Sequence, residues 1–172
     1  MNTTDDAASE SHTGPTRFHR GELAADAHTA SQTRSDFDEW LQTHFTLTAT
    51  SRTDLTLAVN EAVANAAEHA YVGSPVGSGT FDVDAHYDTA HDALTVVIED
   101  RGHWQLPDPD INQLSTRGRG IQIMAALADH ASIDATAEGT RVSLTWQQMH
   151  SRPESEARQD QSNRRRAGSS RR

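Results

Sequence analysis

The stretch that decides the fold is residues 60–71, which read NEAVANAAEHAY. At about 100° per residue, an α-helix over this stretch has two distinct faces. Its apolar face begins upstream and carries Leu55, Val59, Ala62, Val63, Ala66 and Ala70. Its polar face carries Glu61, Asn65, Glu68 and His69. The pattern therefore predicts a helix that packs on a core and presents a carboxylate and a carboxamide one turn apart.

This polar face has two interpretations. A carboxylate one turn from a carboxamide can act as a general base beside a Mg²⁺ ligand, because Mg²⁺ needs few protein oxygens when phosphates and waters supply the rest. An ordinary solvated helix face explains the same residues. Taken alone, the face does not decide between them.

The neighbouring segments predict the architecture. The helix begins at Ser51 or Thr53, either of which can act as its N-cap, and the Gly, Ser and Pro residues of 73–79 end it. The remaining pattern predicts an edge strand over 17–24, a helix over 27–45, strands over 80–87 and 93–100, a helix from 118–120 to about 130, and strands over 131–136 and 140–146. This order predicts an α+β two-layer sandwich, with a mixed, mostly antiparallel sheet and the helices on one face.

Composition excludes several chemistries. None of the 172 residues is cysteine, which excludes disulfides, thiol nucleophiles and cysteine zinc sites. All 15 basic residues are arginine, so the lysines of P-loop proteins and eukaryote-like protein kinases are missing. A net charge of −10 argues against direct binding to nucleic acid. Because no run approaches the ~20 apolar residues of a membrane span and the start lacks the apolar run of a signal peptide, we expect a cytoplasmic protein without membrane contact.

We expect one ordered domain over residues 16–148, between disordered ends at 1–15 and 149–172. Residues 151–172 contain seven arginines and three carboxylates, a net charge of +4. This tail has no apolar face whose burial could offset the entropy of ordering it. We therefore interpret its basic run, residues 164–166, as solvated chain rather than a nucleic-acid or membrane contact.

Asp100 is the second candidate site residue. It ends a predicted strand in phase with apolar residues, so its carboxylate points to the buried side and needs a partner. The amino group of an adenine could be that partner. Alternatively, Asp100 caps the turn that contains Gly102.

Two glycine motifs follow a long connection. Residues 101–117 lack any clear period, and loops of that length inside a compact domain are usually functional. The next stretch, Arg117-Gly118-Arg119-Gly120-Ile121, opens a helix, where glycines let backbone N–H groups face an anion; a flexible hinge explains it equally well. Gly139 and Thr140 precede the last strand, where they could contact a ligand or form a plain hairpin turn.

The order and spacing of these four motifs are more specific than any one of them. Glu-x-x-x-Asn on a helix, Asp-x-Gly at a strand end, Gly-x-Gly opening a helix and Gly-Thr before the last strand resemble the N, G1, G2 and G3 boxes of the GHKL ATP-binding superfamily. The resemblance covers residues 16–147. Within the superfamily, residues 60–71 and 118–124 resemble the anti-sigma factor serine/threonine kinases.

This resemblance implies a function and roles for residues. Such kinases bind Mg-ATP, sequester a sigma factor and phosphorylate a STAS-domain anti-anti-sigma factor, commonly as homodimers. By resemblance, Glu61 is the catalytic base and Asn65 the Mg²⁺ ligand. The implied cofactor-binding residues are Asn65, Asp100, Gly102, Arg117, Gly118, Arg119, Gly120, Ile121 and Thr140.

One departure favours a competing function. The family pattern has a second glycine two positions after Gly102, where this chain has Trp104. Trp104 could pack over a nucleotide, or it could narrow the pocket. The alternative is thus a non-catalytic GHKL-fold module that binds a protein, with ATP structural or absent. Retention of Glu61 favours the kinase, since a pure binder needs no base.

Overall fold

The computed structural model describes residues 11–14, 16–71, 73, 75, 78–102 and 119–152. The strands are β1 (Ser11–Gly14), β2 (Arg17–Ala24), β3 (Thr80–Asp88), β4 (Ala93–Asp100), β5 (His130–Thr136) and β6 (Gly139–Gln147). The helices are α1 (Ala27–His44), α2 (Ala49–Ala64) and α3 (Arg119–Leu127), and a π-helical turn, Asn65–His69, continues α2. None of these helices is long and apolar enough to cross a membrane.

The six strands form one sheet in the order β1-β2-β3-β4-β6-β5. This confirms the α+β fold, although every pairing among the described strands is antiparallel, and the expected mixture of directions is not seen. The expectation of disorder over 1–15 was wrong for β1, which pairs with β2, so β2 is not an edge strand. Backbone pairing of this kind needs no apolar face, which is why composition did not reveal it.

The core lies between the sheet and its helices. Alternate residues of β3, β4 and β6 are buried, and the residues between them form a mostly polar outer face. The predicted apolar face of α2 is confirmed, since all six of its residues are buried. An aromatic group at the β2 and α1 side of the core joins Phe18, Phe37, Trp40, Phe45 and Tyr87 through ring contacts.

Two predicted helix ends were wrong. Helix α2 begins at Ala49, because Thr48 is its N-cap and its side chain accepts a hydrogen bond from the Ser51 amide. Helix α3 ends at Leu127, whose carbonyl accepts a hydrogen bond from the Trp146 indole at 2.8 Å. This side-chain bond satisfies a carbonyl that has no partner within the helix, and strand β5 begins three residues later.

The expectation that disorder begins at residue 149 was also wrong. Met149 is 2% exposed and belongs to the core. Residues 149–152 return along the end of α1, where the Thr46 amide donates to the His150 carbonyl at 3.0 Å and the Arg152 amide to the His44 carbonyl at 2.7 Å. We call residues 149–152 the C-terminal strap. The strap has a single buried side chain, and its backbone partners are distant in sequence. Its own sequence therefore has no local pattern that would predict it.

Candidate functional site

Glu61 of α2 and Asn65, the first residue of the π-helical turn, converge on the start of α3. Gly120 is buried, and a Cβ atom built on it would lie 2.9 Å from Glu61 Oε2 and 3.4 Å from Asn65 Nδ2. A larger residue at this position would therefore displace the Glu61 carboxylate and crowd Asn65. Neither side chain has a hydrogen bond to another group among the described residues. Within the described part of the chain, a carboxylate and a carboxamide without hydrogen-bond partners thus face the first turn of a helix, where backbone N–H groups lack intrahelical partners.

The π-helical turn begins at Asn65. Its defining bond runs from the Ala70 amide to the Asn65 carbonyl, five residues back, at 3.0 Å. Such turns insert one extra residue and are frequent at functional sites. Glu68 and His69, predicted on the same face as Glu61 and Asn65, lie within this turn, where the ~100° spacing no longer holds, and both are exposed.

A second pair of predicted residues meets at the end of the sheet. Asp100 pairs with Thr140 across β4 and β6. Both are buried, at 5% and 3% exposed. The Asp100 carboxylate accepts a hydrogen bond from the Gly102 amide at 2.9 Å, as the turn-capping interpretation predicts. Thr140 Oγ1 is buried and has no hydrogen-bond partner among the described residues, so this end of the sheet offers a polar atom suited to a ligand.

A cavity of about 320 Å³ opens beside this second pair. It reaches Asp100, Gly139 and Thr140, but not the Glu61, Asn65 and Gly120 group. Its rim on the outer sheet face is charged, and two of the arginines there are already paired, Arg101 with Asp82 and Arg141 with Glu99. The cavity therefore lies mainly on the outer face of the sheet and only borders Asp100 and Thr140, so the convergence of side chains defines the candidate site better than the cavity does.

The two halves touch through Gly102. A Cβ atom on Gly102 would clash with the Ala70 carbonyl oxygen and would lie 2.8 Å from the Ala70 Cβ. The turn after Asp100 therefore packs directly against the end of the π-helical turn. From the sequence, Gly102 was interpreted as part of the turn after Asp100. Its close approach to Ala70 is a second reason for a glycine at this position, which the sequence pattern does not reveal.

The remaining predicted residues differ in how far the structure describes them. Arg119 begins α3 and is exposed, and Ile121 is half-buried and packs against the core. Arg117, Gly118 and Trp104 lie outside the described residues, as does most of the predicted loop 101–117.

Sequence reasoning missed Tyr71. Its hydroxyl donates to the Thr80 carbonyl at 2.5 Å and accepts from the Arg101 amide at 2.9 Å. Its ring lies against Gly79, where any Cβ atom would clash. A tyrosine directly after a helix, with a glycine directly before the next strand, was the available signal.

The residues present fit Mg-ATP. Asn65 and Glu61 supply uncommitted oxygens of the kind that Mg²⁺ accepts. The first turn of α3, open at Gly120, suits phosphates. Asp100 and the unpartnered Thr140 hydroxyl suit the polar edge of an adenine.

Comparison with known proteins agrees with this fit. The model of the histidine kinase-like ATPase domain matches residues 23–146. The serine-protein kinase RsbW of Bacillus licheniformis is 32% identical over 106 residues, which cover 54% of this chain and 62% of that protein. RsbW of Bacillus velezensis is 29% identical over 104 residues, with the same coverage. The chain thus spans less than two thirds of the length of these relatives.

A solved structure agrees as well. The RsbU and RsbW domains of Rv1364c from Mycobacterium tuberculosis match with a TM-score of 0.58 and 27% identity, over 80% of this chain and 33% of that one. The shared fold, the matched domain and the paired site halves lead to one conclusion: this chain belongs to the histidine kinase-like ATPase family.

Proposed function

We propose that this chain is an anti-sigma factor serine/threonine kinase. It binds Mg-ATP in the cytoplasm, sequesters a sigma factor and phosphorylates a serine or threonine of a STAS-domain anti-anti-sigma factor, acting as a homodimer. The sigma factor, the STAS partner and the dimer are carried over from the resemblance to anti-sigma factor kinases. The kinase activity is also supported by the homology to RsbW over about half of the chain.

One observation supports the catalytic part of the proposal. Glu61 and Asn65 both approach Gly120, so a carboxylate and a carboxamide lie at the helix start that suits the phosphates. A module that only binds a protein has no need of a free carboxylate there. The convergence therefore favours a kinase over the non-catalytic alternative.

The residues divide the chemistry between them. Asn65 holds Mg²⁺, which neutralises phosphate charge when bound. Backbone N–H groups from Arg119 to Ile121 hold phosphate oxygens, and Asp100 accepts a hydrogen bond from the adenine amino group, with Thr140 beside it. Glu61 accepts the proton of the attacking serine or threonine hydroxyl. The hydroxyl oxygen bonds to the γ-phosphorus, the bond from that phosphorus to the β–γ bridging oxygen breaks, and ADP leaves.

The test is direct phosphoryl transfer. The protein is mixed with Mg²⁺, γ-labelled ATP and a STAS-domain protein encoded beside it, and a variant STAS protein whose acceptor serine or threonine is alanine is the control. We expect label on the wild-type partner alone, and we expect transfer to stop when EDTA removes Mg²⁺. Tight ATP binding without transfer to any STAS partner would leave the binding module as the better account.

A further inference from the structure

Tyr71 connects three segments through one hydroxyl group. It bonds to the carbonyl of Thr80, at the start of β3, and to the amide of Arg101, directly after β4. Tyr71 itself follows the π-helical turn by two residues. The hydroxyl thus joins the end of the α2 assembly to the two central strands at the edge where the site lies.

The π-helical turn brings Tyr71 to this position. Compared with an uninterrupted α-helix, one extra residue in a turn rotates everything after it by about one residue step, ~100°. A tyrosine at residue 71 of a regular helix would therefore point away from Thr80 and Arg101. The π-helical turn and Tyr71 therefore act together.

The π-helical turn and Tyr71 together hold the segment that directly follows Asp100. Of the two residues after Asp100, Arg101 is bonded to Tyr71 through its amide, and Gly102 packs on Ala70. Both contacts come from the residues that directly follow the turn beginning at Asn65. The segments that carry Asn65 and Asp100 are therefore in direct contact through Tyr71 and Ala70.

We propose that Tyr71 is a positioning residue, which sets the distance between the Glu61–Asn65 half and the Asp100–Thr140 half so that one nucleotide contacts both. This inference rests on the nucleotide binding in the proposed function. A ligand that spans both halves depends on their spacing, whereas adenosine, which has no phosphates, occupies only the Asp100 half. If Tyr71 sets the spacing, its loss weakens the binding of Mg-ATP and spares that of adenosine. If Tyr71 only supports the Asp100 turn, its loss weakens the binding of both ligands equally.

The test compares Tyr71→Phe with Tyr87→Phe. Both variants keep the ring and lose a hydroxyl that makes hydrogen bonds, but the Tyr87 hydroxyl donates to Asp92 at 2.8 Å, at the opposite end of β4. We expect calorimetry to show that Tyr71→Phe weakens the binding of Mg-ATP by about 5- to 50-fold, because the variant loses the one or two hydrogen bonds that align the two halves. The binding of adenosine should weaken by less than about twofold. Tyr87→Phe should change neither affinity.

Amide hydrogen exchange provides a second arm, since Tyr71→Phe should speed exchange at the Arg101 amide and Tyr87→Phe should not. Equal losses for Mg-ATP and adenosine in Tyr71→Phe, or unchanged Mg-ATP affinity, would overturn the inference. The affinities for Mg-ATP and adenosine can be measured even if no phosphoryl group is transferred to a STAS partner. The kinase proposal can therefore fail while this inference holds. Wild-type protein that bound no Mg-ATP would overturn both.

Discussion

At the scale of single residues, Asp100 is a buried carboxylate that caps a turn at the edge where we propose that adenine binds. Its bond to the Gly102 amide holds the turn, and its position beside Thr140 suits an adenine. The two interpretations that the sequence left open are therefore compatible. A change at Asp100 should then affect the ligand as well as the turn.

We predict that Asp100→Asn weakens ATP binding by roughly 1 to 3 kcal/mol, because the amide can present a mismatched donor to the adenine amino group in a buried site. Calorimetric titration with Mg-ATP measures this loss. Asp134→Asn is the matched control, because Asp134 lines the same cavity but is exposed on β5. If both variants bound ATP as the wild type does, Asp100 would have only its turn-capping role.

At the scale of elements, side-chain caps determine where helices begin. Asp26 is the N-cap of α1, and its carboxylate accepts from the Thr29 amide at 2.7 Å. This hydrogen bond lowers the pKa of Asp26 below its ordinary value. A carboxylate with a lowered folded-state pKa stabilises the fold above its unfolded pKa, and that stabilisation disappears as pH falls through the folded value.

We therefore predict that Asp26→Ala lowers the melting temperature at neutral pH, and that the difference from wild type narrows as the pH is lowered below about 4. Thermal melts followed by circular dichroism from pH 7 to pH 3 measure both curves. Asp134→Asn, which alters an exposed carboxylate, controls for the general effect of charge. A difference that stayed constant over the whole range would contradict the capping role of the ionised carboxylate.

The C-terminal strap gives a second prediction at this scale. Met149→Ala should cost about 2 to 5 kcal/mol of unfolding free energy, as expected for a large side chain removed from a core. Deletion of residues 153–172 should leave the melting temperature unchanged, because that sequence has no apolar face. Denaturant titration of both proteins tests the pair. A large loss in the truncated protein would show that the basic tail also docks.

The elements also show what sequence can predict. The burial of Asp100 and of the α2 face followed from periods of two and about 3.6 residues, which are local properties. The choice of Thr48 over Ser51 and Thr53 as the N-cap did not, since serine and threonine both cap helices well. The π-helical turn and β1 are held by backbone bonds between near neighbours, which impose no side-chain period, whereas the strap depends on bonds to residues distant in sequence.

At the scale of the whole molecule, the site lies at one end of the central strands and the strap at the other. Helix α2 with its π-helical turn provides Glu61 and Asn65, α3 provides Gly120, and the sheet provides Asp100 and Thr140. The sequence predicted these residues as candidates, and the resemblance supplied their expected roles. Their contacts, through Gly120, Gly102 and Tyr71, became visible only in three dimensions.

The central claim is that Glu61 acts as a base. Single-turnover phosphorylation of the STAS partner, with an ATP titration of each variant, tests it most directly. Glu61→Gln should lower transfer by ~10² to 10⁴ and leave ATP affinity within about 1 kcal/mol, because a base contributes mainly in the transition state. Asn65→Ala should weaken Mg-ATP binding itself, and Glu68→Gln, an exposed carboxylate in the adjoining turn, should change neither quantity. Transfer by Glu61→Gln at the wild-type rate would contradict the account.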